Sequence, residues 1–179
     1  MHHTYQSKLD RLNSNLESLA LKLGKYPHEK LNVKPSPDAW SVMQVMQHVM
    51  TSERLSLAYV KKKTSFQQSF KKAGLATRLR WAALKVFLWL PLKFKAPPAV
   101  NADNFPVESD LGEVVGQWYE NRKDLARFFE NVPKEWIGAE VYRHPRAGRL
   151  KLEDMLVFFE DHFARHVKQI DRALKQVTS

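Results

Sequence analysis

The residues with the most chemical promise are His162 and His166. They stand four apart in a segment where Leu152, Met155, Leu156, Phe159, Phe163, Ile170 and Leu174 recur at helical spacing. The two rings therefore share a helix face, with Cβ atoms roughly 5–6 Å apart. Imidazoles so placed can meet on one metal ion at about 2.0–2.1 Å each. Both follow the apolar stripe, and polar rings buried among Phe and Ile cost free energy unless their nitrogens find partners. A metal is one such partner; backbone carbonyls or water are the blander alternative. A metal site needs a third ligand. His48 is the best placed, in the middle of another helix, where Gln44, Val45, Thr51 and Ser52 make a mixed face able to border a polar pocket. On its own, His48 reads as an ordinary interface histidine. His2, His3 and His28 lie in the N-terminal stretch or a loop, and His144 precedes a proline in a loop; none has a suggestive context.

The elements that must position these rings follow from periodicity. Leu9, Leu12, Leu16, Leu19 and Leu23 mark one amphipathic helix, and Gly24 can end it. Residues 25–39 carry Pro27, Pro35 and Pro37 and read as a loop. A second helix starts near Ser41, where Ser41 and Gln44 fit a capping box, and runs to about Lys63 with Met43, Met46, Met50 and Leu57 inward. Asp110 to Asn131 is a third helix, with Glu113 three residues after its Asp cap and Val114, Trp118, Leu125, Phe128 and Phe129 on its apolar side. The last runs from about Lys151 to Val177. Ala96 to Pro106 reads as an extended linker, and no alternating strand pattern or internal repeat is visible. Four long amphipathic helices predict an all-α fold, a four-helix bundle with a long connection between helices 2 and 3. With 179 residues, one domain over residues 1–179 is expected.

Composition narrows the chemistry. The chain has no cysteine, which removes disulfides, thiolate ligands and a cysteine nucleophile. The start lacks the apolar run of a signal peptide and no 18-residue apolar run occurs, so a cytoplasmic protein is expected. The formal charge is +10, and it is not spread evenly. From Arg54 to Lys95 there are eleven basic residues and no Asp or Glu, leaving 18 basic against 19 acidic residues elsewhere. Such a segment is either a solvated lysine face or a surface for anionic partners. Within it, Leu79 to Leu92 is apolar except for Arg80 and Lys85, and Pro91 limits or kinks a helix. Packing on the bundle is the favoured reading of residues 66–96; covering a dimer partner or lying flat on a membrane are the others. No helix-turn-helix, zinc-finger or RNA-binding signature occurs, so no specific nucleic acid is expected.

Two stretches carry a family resemblance. The run Pro37-Asp38-Ala39-Trp40-Ser41-Val42-Met43-Gln44-Val45-Met46-Gln47-His48, closely followed by Glu53, resembles the second-helix motif of the DinB/YfiT-like proteins. His144-Pro145, Gly148, Leu150, Leu152, Glu153 and then His162-Phe163-Ala164-Arg165-His166-Val167-Lys168-Gln169-Ile170 resemble that family's C-terminal signature. The helix count and order agree over almost the full chain; the connection 66–96 departs from the pattern. The resemblance implies a four-helix bundle with a three-histidine metal site whose ligands map onto His48, His162 and His166. It also implies a metal-dependent hydrolase or a thiol S-transferase, often a homodimer, acting on a small molecule.

Three neutral imidazoles would leave coordination positions open, the catalytic pattern. An open position can hold water with its pKa lowered towards about 7, or bind and deprotonate a thiol. Nitrogen ligands suit zinc, nickel, copper or iron, with zinc or nickel expected first and iron next. Each ligating ring should donate its other N–H; Glu53, Asp161 and backbone carbonyls are candidate acceptors, the two acids otherwise reading as solvated surface. No general base or other catalytic residue is assigned. Two other readings stand beside the enzyme. One is a non-enzymatic, stress-related metal-binding protein; the other is a peripheral membrane or anion-binding module acting through residues 61–95.

Overall fold

The computed structural model describes residues 3–66, 69–90 and 95–178. The protein is mostly helical: α1 His3–Leu23, α2 His28–Asn32, α3 Val42–Phe66, α4 Leu75–Trp89, α5 Leu111–Glu130 and α6 Leu152–Thr178. All four expected long helices are present. Each packs on two others, α1 and α3 each lying against both α5 and α6. No helix among the described residues is long and apolar enough to cross a membrane.

Local chemistry sets the ends. The amide of Gln44 donates to Ser41 Oγ (3.2 Å) and the amide of Ser41 donates to Gln44 Oε1 (3.1 Å), a reciprocal capping box that starts α3. Asp110 Oδ1 accepts from the Glu113 amide at 2.9 Å and starts α5. The leucine stripe of α1, from Leu9 to Leu23, is buried throughout, each side chain contributing about 1.5–3 kcal/mol of apolar burial. The first ten residues of α3, Val42 to Thr51, are all buried. A helix end enclosed on every side must pair its polar side chains, which is why His48 does not point into solvent.

The structure departs from expectation in three connections. The loop 25–39 contains the short helix α2, anchored by buried Leu31. The linker 96–106 is not extended; it folds into two 3-10 turns, Pro98–Val100 and Ala102–Asn104, that bury Val100 and Ala102. Strand is also present. Strands β1 (Tyr142–His144) and β2 (Gly148–Leu150) pair antiparallel with His144 opposite Gly148. At three residues each they are too short to show alternation. Gly148, at φ +77°, turns the three-residue loop back into register, a left-handed backbone that favours glycine.

The segment expected to pack on the bundle does so by one face. Helix α4 buries Thr77, Leu84 and Leu88 and lies against α6 and β2. Arg165 holds its last turn, donating from Nη1 to the carbonyls of Leu88 (2.9 Å) and Leu90 (2.6 Å). Pro91, expected to limit or kink the helix, and Leu92, the end of the apolar run, lie outside the described residues.

Candidate metal centre

Helices α3 and α6 pack directly on each other, and their contact brings the three histidines together. His48 and His162 are buried, and His166 is partly so. One ring nitrogen from each lies within 4.8 Å of the other two. His48 Nε2 is 3.3 Å from His162 Nε2, and His166 Nε2 is 3.0 Å from the same atom. Nitrogens held at about 2.0–2.1 Å around a tetrahedral ion stand roughly 3.3 Å apart, so the spacing fits a shared cation. His144 is not in this group.

The protons point the same way. His48 Nδ1 is 2.8 Å from the Val100 carbonyl, which can only accept, so Nδ1 carries the hydrogen and Nε2 a lone pair. His166 Nδ1 donates likewise to the amide oxygen of Gln169 at 2.8 Å. Two lone pairs thus face His162 Nε2, which owns at most one proton. One of the close contacts is then repulsive unless a cation sits among them. His162 Nδ1 is itself buried with no hydrogen-bond partner among the described residues, a cost of about 1–3 kcal/mol that a metal bond at Nε2 would offset. The donor set and geometry fit a divalent ion.

Burial keeps these rings neutral. Desolvation lowers the His48 pKa, against the raising effect of its bond to Val100. Desolvation, then the neighbouring His166 and His48, puts His162 well below the ordinary value. Burial first, and His48 next, pushes His166 down to about 3. Lone pairs are therefore available at neutral pH, as ligation requires.

Apolar rings fix the orientation. Phe158 stacks on His162 at 5.0 Å and 25°. Trp40 meets His48 edge-on at 5.2 Å. Behind Phe158 stands His144, 4.6 Å away. His144 is buried, and its Nδ1 accepts the amides of Arg146 (3.2 Å) and Ala147 (3.1 Å), closing the β1–β2 turn. It therefore has a structural context that its loop position concealed. Burial, helped by Arg146, lowers its pKa to about 4. The unfolded chain takes this proton near pH 6.5 and the folded one only near 4. Stability from His144 is thus full above about pH 6.5 and is lost as pH falls towards 4, by up to about 3 kcal/mol. His144→Asn keeps an acceptor but does not titrate. In urea unfolding, wild type should lose ground to this variant between pH 7 and about pH 4.5. All three site histidines are kept in both proteins, and a constant difference between the two would refute the assignment.

The expected acidic acceptors are elsewhere. Glu53 is neither solvated nor a partner of a ligand ring: its Oε2 accepts from Trp118 Nε1 (2.8 Å) and Arg122 Nε (3.1 Å), and its Oε1 from Arg122 Nη2 (3.0 Å). Five residues beyond His48, it faces α5 instead of α6. Asp161 pairs with Lys85 of α4 at 3.6 Å. The acceptors used are the Val100 carbonyl and Gln169. Gln169 follows His166 by three residues, a spacing that could have revealed it; Val100 lies 52 residues from His48 and had no local signal.

A cleft of about 720 Å³ opens between α3, α5 and the 3-10 turns, lined by Gln47, the residue before His48. Its lining is mixed: Gln47, Thr51, Arg54, Gln117, Glu120 and Asn121 are polar, and Met50, Phe105 and Pro106 are apolar. Of the residues expected to border a polar pocket beside His48, Thr51 lines this cleft.

A family model described as the DinB superfamily matches residues 8–170, nearly the whole chain. No curated protein matches it. The matched family and the histidine cluster fit a metal-binding protein.

Proposed function

This chain belongs to the DinB superfamily, and from that premise we propose that it is a metal-dependent enzyme, a hydrolase or thiol S-transferase acting on a small molecule in the cytoplasm. In this reading α1, α3, α5 and α6 make a four-helix bundle, and His48, His162 and His166 hold one divalent ion between α3 and α6. Zinc or nickel is the first choice for three imidazoles, with iron next. The observation that carries the proposal is the set of Nε2 atoms 3.0 and 3.3 Å apart, two of them turned inward by protons committed to Val100 and Gln169.

His48, His162 and His166 would hold the ion through three neutral nitrogens with coordination positions to spare, and the bound ion would supply Lewis acidity towards a water or a thiol. The chain's own residues do the rest. Val100 and Gln169 fix the tautomers of His48 and His166. Phe158 and Trp40 shield the rings. The cleft pairs the amides of Gln47, Gln117 and Asn121 and the charges of Arg54 and Glu120 with apolar Met50, Phe105 and Pro106, a lining that suits a small amphipathic substrate.

A second reading keeps the ion but not the reaction: a non-enzymatic, stress-related protein in which metal ties α3 to α6. The burial of His48 and His162, 5% and 8% exposed, favours it. Elemental analysis of the purified protein beside His48→Ala tests the shared premise. Wild type should carry about one divalent ion per chain and the variant almost none. Equal metal in both would remove His48 from the site. If metal is present, turnover over a panel of esters, amides and low-molecular-weight thiol acceptors separates the two readings.

A further inference from the structure

Helix α4 is amphipathic in an unusual way: it buries one apolar face and exposes another. Leu75, Leu79, Val86 and Trp89 are 72%, 63%, 57% and 81% exposed. At 100° per residue they fall, with exposed Ala82, within one arc about 80° wide. The stripe cannot turn inward. Thr77, Leu84 and Leu88 already occupy the inner face, Arg80 Nε is bonded to the Arg149 carbonyl at 3.1 Å, and Arg165 grips the C-terminal carbonyls.

Charge says what covers it. Arg78 and Lys85 run along one margin of the stripe, Arg78 exposed and Lys85 sharing Asp161 at 3.6 Å. The helix lies in the acid-free stretch from Arg54 to Lys95, the source of the chain's positive excess. A second copy of this chain would bring like charges together along the contact. A nucleic acid would meet the phosphate-seeking margin but leave Leu79 and Trp89 wet. An anionic bilayer surface satisfies both: hydrocarbon for the stripe, headgroup charge for its margin. Trp at the end of such a helix suits the headgroup level.

We propose that the outward face of α4 seats the protein on an anionic lipid surface, with Leu75, Leu79, Val86 and Trp89 entering the headgroup–acyl boundary and Arg78 and Lys85 meeting the headgroups. The helix lies in the plane of the surface as a fixed foot of the fold. The proposal is independent of the metal centre.

Co-sedimentation of the full chain with vesicles tests it, comparing phosphatidylcholine alone with phosphatidylcholine holding about 30% phosphatidylserine. Wild type should pellet with the anionic vesicles and far less with the neutral ones. Leu79→Ser combined with Trp89→Ser should lower the partition at least about tenfold. Arg78→Glu should lower it about fivefold or more, and added salt should weaken wild-type binding. All three positions are exposed, and unchanged circular dichroism confirms the fold. Wild type staying in the supernatant, equal binding to neutral vesicles, or undiminished binding by the double variant would each overturn the proposal. So would a wild-type dimer that the double variant dissolves, or a DNA duplex whose binding it weakens to the same degree; these would assign the face to a second copy or to nucleic acid.

Discussion

Glu53→Ala is expected to destabilise the protein by about 3–5 kcal/mol, the usual cost of stripping one partner from a buried ion pair. The Glu53 and Arg122 side chains are 4% and 2% exposed. Arg122 bonds both carboxylate oxygens, donates from Nη1 to the Leu12 carbonyl, and lies over the rings of Trp118 (5.1 Å) and Phe163 (5.7 Å). One cation thus ties α1, α3, α5 and α6. Removing Glu53 leaves that charge in an apolar setting with a single carbonyl and leaves the Trp118 N–H unpaired. The thermal midpoint should fall by roughly 10 °C or more for a chain of this size. The double variant Glu53→Leu/Arg122→Met buries no charge and should be more stable than either single substitution. Additive losses in the double-mutant cycle would mean that the two residues do not act as a pair.

Metal loading should have the other large effect. Without a cation, the lone pairs on His48 and His166 face His162 across 3.3 and 3.0 Å. With one, the repulsion becomes three bonds that exist only in the folded chain. At free metal about a thousandfold above the dissociation constant, the stabilisation is about 4 kcal/mol. The stripped protein should therefore melt well below the zinc- or nickel-loaded one, and readdition should restore the midpoint. His162→Ala removes the shared nitrogen; its midpoint should not respond to metal, and stoichiometric binding should vanish in titration. A metal-dependent rise that persists in His162→Ala would place the ion elsewhere.

Much of the fold could be read locally. The leucine stripe of α1, the Ser41–Gln44 box and the Asp110 cap act within one helical turn, so a single sequence displays them. The His162–His166 pair was visible for the same reason. His48 stood apart: its place in the middle of a helix with a mixed face made it the best third candidate, its own surroundings read as an interface histidine, and the motif resemblance strengthened its link to a pair 114 residues away. Glu53 was misread because its exposure was judged from α3 alone, whereas its partner belongs to α5. The β1–β2 ribbon escaped because three-residue strands hold no period.

The sequence by itself determined where the four long helices α1, α3, α5 and α6 lie, which stripe of each is apolar, and where the positive charge gathers. Those properties follow from a repeat of 3.6 residues and from side-chain chemistry, both local. Tertiary packing decided that three imidazoles share one point, that Glu53 meets Arg122, and which of the two apolar faces of α4 is buried. Such contacts depend on how whole helices settle against one another, and a chain carries that in the sum of its packing energies, not in any single stretch.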